Sequence, residues 1–102
     1  MTRAPHSASP DEAGRAIRGA LAACRPGASI CPTDAARHLA AARGETAPGA
    51  WRHHLATIRR TALDLAREGS IVILRKGKVV EPDAVRGVIR LAQPAIPPGE
   101  TA

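Results

Sequence analysis

No Phe and no Tyr occur in this chain, and Trp51 is its single tryptophan. An interior without large rings has to be filled by aliphatic side chains, yet 22 of the 102 residues are alanine and the larger apolar residues number 23, mostly Leu, Ile and Val. The core is therefore small, made of aliphatic groups packed over alanine-rich helices, and leaves no room for a large ligand cavity. The length fits one domain. With 24% charged residues and ordinary Gly and Pro content, the chain reads as folded rather than disordered or collagen-like. No apolar run approaches the roughly 20 residues of a membrane span, and MTRAPHSASPDE has no apolar stretch of a secretory signal. The expectation is a soluble, cytoplasmic protein with no membrane partner.

Local signals order the elements. Residues 1–8 read as a flexible tail, 9–92 as the domain and 93–102 as a Pro-rich tail. Ser9-Pro10-Asp11-Glu12 supplies an N-cap, a proline whose missing N–H is harmless and a carboxylate that closes a capping box. The first helix buries Ala13, Ile17, Ala20, Leu21 and Cys24 and stops at Pro26-Gly27. Ala28 to Cys31 can form one bridge of strand pairing. A second helix follows Cys31-Pro32-Thr33-Asp34 to about Arg43, burying Ala35, Ala36, Leu39 and Ala40 or Ala42. The spacing predicts a third helix from about Ala50 to Glu68, its buried stripe being Trp51, Leu55, Ile58, Ala62 and Leu65. Ser70 to Arg75, a Lys76-Gly77 turn and Lys78 to Glu81 read as a β-hairpin, residues 82–87 as a turn or short helical piece, and Val88 to Ala92 as one further strand.

Nothing in the sequence points to catalysis. GxSxG, Walker-type and GxGxxG stretches are missing, and the carboxylates are scattered rather than paired with a nucleophile. Cys24 and Cys31 read as core thiols, because they lack both the spacing of a redox pair and a second pair to complete a metal site. His53 and His54 would point about 100° apart on an α-helix and so do not readily share one metal. The expectations are no enzyme activity, no metal and no cofactor.

The charge is +6, and arginine greatly outnumbers lysine. Residues 51–80 hold seven basic and two acidic side chains, a net +5 concentrated in the third helix and the hairpin. On the helix, Arg52, Arg59, Arg60 and Arg67 fall within about a 100° arc, with His53 inside or at its border. Arg75, Lys76 and Lys78 form the hairpin tip. Arg60–Asp64 and Asp64–Glu68 are both i,i+4 pairs, so part of this face also reads as ordinary intrahelical charge pairing.

Helix, short strand, two helices and a hairpin is the order of an α+β winged helix-turn-helix. The residues Cys31-Pro32-Thr33, Ala36-Arg37, Trp51-Arg52, Arg59, Ala62, Leu65-Ala66, Gly69, Gly87 and Arg90-Leu91 resemble the pattern of a family of small bacterial winged-helix domains of unknown function. The resemblance spans about residues 10–92 and implies the fold without supplying an activity. Gly87-Val88 stands where that family often has Gly-Pro. Trp51 reads as a core anchor or a contact surface, and Arg37 and Arg90 either brace the elements or meet phosphate.

The leading functional expectation is binding of double-stranded DNA, as in a transcriptional regulator. Arg52, His53 and Arg59 would be base-edge readers, and Arg60, Arg67, Arg75, Lys76 and Lys78 phosphate contacts. A footprint this small implies homodimerisation or fusion to another regulator. The competing class is a winged helix that docks a protein partner and no nucleic acid.

Overall fold

The computed structural model describes residues 8–25 and 27–94. Helix α1 (Pro10–Ala22) starts as its sequence dictates. The Ser9 hydroxyl accepts from the Glu12 N–H, and Glu12 accepts from the Ser9 N–H, both at 3.1 Å. Such a cap is worth about 0.5–2 kcal/mol. The buried stripe is Ala13, Gly14, Ala16, Ile17, Ala20 and Leu21, while Cys24 is only half-buried. The expected stop at Pro26 and most of both tails lie outside the described residues. Ala8, which the sequence reading assigns to the first tail, is instead buried in the core.

Strand β1 (Ser29–Ile30) is the anticipated short bridge. Helix α2 (Pro32–Ala42) follows, with Asp34 Oδ2 accepting from the Cys31 N–H at 3.1 Å. Ala35, Ala36, Leu39 and Ala40 face inward as predicted. The alanines permit the close approach of α1 to α2 that a core of this size requires.

Helix α3 departs from expectation at its head. Residues Ala50–His54 form a 3-10 turn, and the α-helix itself is Leu55–Arg67. No Ser, Thr, Asp or Asn stands in the cap position; Gly49 enters in a left-handed conformation and His54 leaves the helical ladder with φ −96°. The tighter turn swings His54 inside, so α3 and its head bury His54, Ile58, Thr61, Ala62 and Leu65, while Trp51 and Leu55 stay half-buried.

Strands β2 (Val72–Arg75) and β3 (Lys78–Val80) form the hairpin, and β4 is Arg90–Ala92. The two-residue turn has positive φ at both Lys76 (54°) and Gly77 (81°), the signature of a twisted hairpin connection. The antiparallel sheet has the order β1-β4-β2-β3. Ile17, Ile58, Ile73, Ile89 and Leu91 lock helices to sheet in one cluster. The molecule is α+β in the winged helix-turn-helix layout, the β2–β3 hairpin being the wing.

Candidate nucleic-acid interface

The predicted basic residues do not form one uniform face. They divide by what holds each of them. Arg67, near the end of α3, donates to Asp83 at 2.9 Å and lies 3.4 Å from Asp64. The Asp83 carboxylate foremost, with Asp64, holds its guanidinium more firmly protonated than usual. It is a paired charge, as the i,i+3 neighbour and the short helical piece Pro82–Ala84 arrange it. This second partner could not be read from spacing on the helix.

Arg59 and Arg75 behave differently. Arg59 Nη2 donates to the Gly87 carbonyl at 3.3 Å and Arg75 Nη1 to the Arg86 carbonyl at 3.2 Å. A carbonyl fixes a guanidinium without neutralising it. One arginine from α3 and one from β2 thus converge on consecutive peptide groups of the loop after Val85, itself packed against the core. Arg75, Lys76 and Arg90 also line a cleft of about 620 Å³ between the wing and residues 87–90. Gly87 is needed there: its φ is 73°, and a Cβ would stand 2.9 Å from Arg75 Nη1. Arg60, Lys76 and Lys78 are exposed and make no hydrogen bond or ion pair among the described residues. Arg60 lines a shallow depression with Ala8, Pro10 and Ala56, away from the wing.

At the head of α3, the Arg52 and Arg37 guanidinium carbons lie 5.0 and 5.1 Å from the Trp51 ring centroid. Both stack as cations on one half-buried ring, so Trp51 is a contact platform as much as an anchor. Arg90 braces the sheet, donating to the hydroxyl and, at 2.8 Å, to the carbonyl of Ser29.

Sequence reasoning missed the corner where α1, α2 and the head of α3 meet. Glu12 accepts from Arg43 Nη1 at 2.7 Å, Arg43 Nε donates to Glu45 Oε2 at 3.0 Å, and His54 Nε2 lies 2.7 Å from Glu45 Oε1. His53 Nε2 stands 3.8 Å from that same oxygen. The His54 ring, with help from Arg43, holds the Glu45 carboxyl below the usual glutamate range. The Ser9 N–H foremost, and then Arg43, does the same for Glu12. Both carboxylates in turn raise the Arg43 guanidinium, Glu45 the more strongly. His54 is fully buried and its Nδ1 has no partner among the described residues, so the anchoring of the ring rests on Glu45. One signal was available: 54, 58, 61 and 65 repeat at helical spacing, and the polar identities of His54 and Thr61 disguised them as surface.

Among the described residues no helix is long and apolar enough to cross a membrane. No curated protein matches the chain. The residues from Cys31 to Leu91 that carry the resemblance all fall within a family model matching residues 10–94, and the chain accordingly belongs to the family described as Protein of unknown function (DUF3253).

Proposed function

We propose that this domain binds double-stranded DNA mainly through the phosphate backbone, with the wing and its neighbouring loop as the principal contact and the exposed side of α3 beside it. The observation that carries this reading is the way Arg59 and Arg75 are held. Their only side-chain hydrogen-bond partners among the described residues are carbonyls, so they are oriented without a carboxylate beside them, and Arg75 stands next to Lys76 and opposite Lys78. Lys76 adds to it: a non-glycine residue at positive φ is an unfavourable choice for the tip of a tight turn, tolerated where the side chain is wanted. Arg52, exposed over Trp51, takes the role of base-edge reader, and Arg67, neutralised by Asp83, contributes little.

The test is a fluorescence-anisotropy titration with a random-sequence duplex at several salt concentrations. Contacts from Arg59, Arg75, Lys76 and Lys78 give a log–log salt slope of roughly −3 to −4, Arg60 on its separate depression adding at most about one more. A flat slope removes the proposal. A second reading, docking of a protein partner, draws on Val79 and Val88, which are 65% and 84% exposed at the wing and the adjoining loop. Under that reading Lys76→Glu with Lys78→Glu leaves partner capture intact, whereas DNA binding through the wing is lost in the same variant.

A further inference from the structure

We infer that Glu45, His53 and His54 form a binding site for a first-row divalent metal ion of the zinc class, closing the loop after α2 onto the head of α3. The inference is independent of DNA binding.

It starts from the 3-10 turn. On a regular α-helix the two adjacent histidines would diverge by about 100°. Here their ring centroids are 4.3 Å apart and both Nε2 atoms approach one carboxylate oxygen, Glu45 Oε1. For His54 the approach is a hydrogen bond. For His53 it is not: 3.8 Å is too long for one, and the ring is 44% exposed with no other polar contact among the described residues to hold it there. The distance does suit a shared ion. Donor atoms around a tetrahedral Zn²⁺ with bonds near 2.0–2.1 Å stand ~3.3 Å apart. In this cluster one donor atom from each of the three residues lies within 4.8 Å of the others. Bringing them to that spacing lengthens the His54–Glu45 contact slightly and moves the exposed His53 ring inward.

The surroundings of Glu45 are those of a ligating carboxylate, while His54, ligating through Nε2, would carry its proton on the buried Nδ1, which has no acceptor among the described residues. Arg43 Nε occupies Glu45 Oε2 and is itself held by Glu12, so Oε1 is fixed toward the histidines, the role an outer hydrogen bond plays for a ligating carboxylate. Two imidazoles and one carboxylate favour Zn²⁺, Co²⁺, Ni²⁺ or Cu²⁺ over Mg²⁺ or Ca²⁺. The 44% exposure of His53 leaves the fourth position open to solvent.

The test uses the untagged full chain, stripped with chelator and titrated with Co²⁺ while visible absorption and Trp51 fluorescence are followed. Trp51 is the single tryptophan and shares the 3-10 turn with both histidines. The expected result is one Co²⁺ per chain with the visible bands of a four-coordinate ion, quenched Trp51 emission and displacement by Zn²⁺. His53→Ala is the decisive variant, because it removes a ligand and no hydrogen bond, leaving the Glu45–His54 contact and the fold in place. It weakens Co²⁺ binding by ~10-fold or more. Glu45→Gln does the same, and His38→Ala, an exposed histidine elsewhere on α2, changes nothing. Absence of binding, wild-type affinity in His53→Ala, loss of binding in His38→Ala, or a thiolate-to-metal charge-transfer band assigning the ion to Cys24 or Cys31 would each overturn the inference.

Discussion

The corner joining α1, α2 and the head of α3 and the wing with its neighbouring loop are both rich in arginine, and they use it in opposite ways. In the corner, Arg43 sits between Glu12 and Glu45, and the carboxylate it orients carries the buried His54. Each charge meets its opposite in a partly buried place, where breaking the set leaves a polar group stranded. At the wing, Arg59 and Arg75 are fixed by peptide carbonyls, and Lys76 and Lys78 are exposed with no partner among the described residues. The lesson is that the charge of a residue says little until its partner is known: carboxylate partners make a brace, carbonyl partners make a presented cation.

This contrast can be broken from either side. The largest effect is expected from His54→Ala, which opens a cavity at a fully buried position and removes the ring that Glu45 holds. Loss of about 2–4 kcal/mol in chemical denaturation is expected, and a change within the range of a surface substitution would mean the corner is not a brace. Lys76→Glu with Lys78→Glu should do the reverse. Stability stays within about 0.5 kcal/mol, while duplex affinity at low salt falls at least about tenfold, near 1.4 kcal/mol. Asp83→Asn sharpens the comparison, because it takes away the nearer of the two carboxylates on Arg67 and leaves only the 3.4 Å contact to Asp64. The exposed pair is worth about 0–1 kcal/mol, so stability moves little and duplex affinity rises a few-fold; unchanged affinity would place the end of α3 outside the contact.

The smallest effect concerns pH. The Glu12 carboxyl lies below its ordinary value when folded, so its contribution is complete above the glutamate range, around pH 4–5, and is lost as pH falls through the lowered folded value. Acid titration of stability should therefore be shallower in Glu12→Gln than in the parent chain below about pH 5. Parallel curves would remove Glu12 from the brace.

The starts of α1 and α2, the two-residue hairpin turn and the short pairing at Ser29–Ile30 are legible in the sequence because local chemistry decides them, whereas the head of α3, with no capping residue to mark it, is not. Ser9 and Glu12 are three residues apart, and Lys76-Gly77 is its own turn. What escaped are contacts between distant segments. Arg59 meets Gly87 across 28 positions and Arg67 meets Asp83 across 16, with no periodic signal to announce either. The arc of four arginines assumes one regular helix from residue 52 to 67, whereas Arg52 sits in the 3-10 turn before α3, and it treats the helix as if nothing packed beside it. Arg90 shows the same gap: whether it braces the sheet or meets phosphate depends on Ser29, 61 residues away.

The sheet order carries a consequence for biosynthesis. β4, near the end of the domain, lies between β1 and β2 and is the partner of both. While the chain emerges from a ribosome, the helices and the hairpin can assemble early, but β1 stays without a ladder until Leu91 and Ala92 have been released from the exit tunnel. Closure of the domain is thus a late, single event, and nascent chains arrested before Arg90 should stay sensitive to protease at their amino-terminal strand.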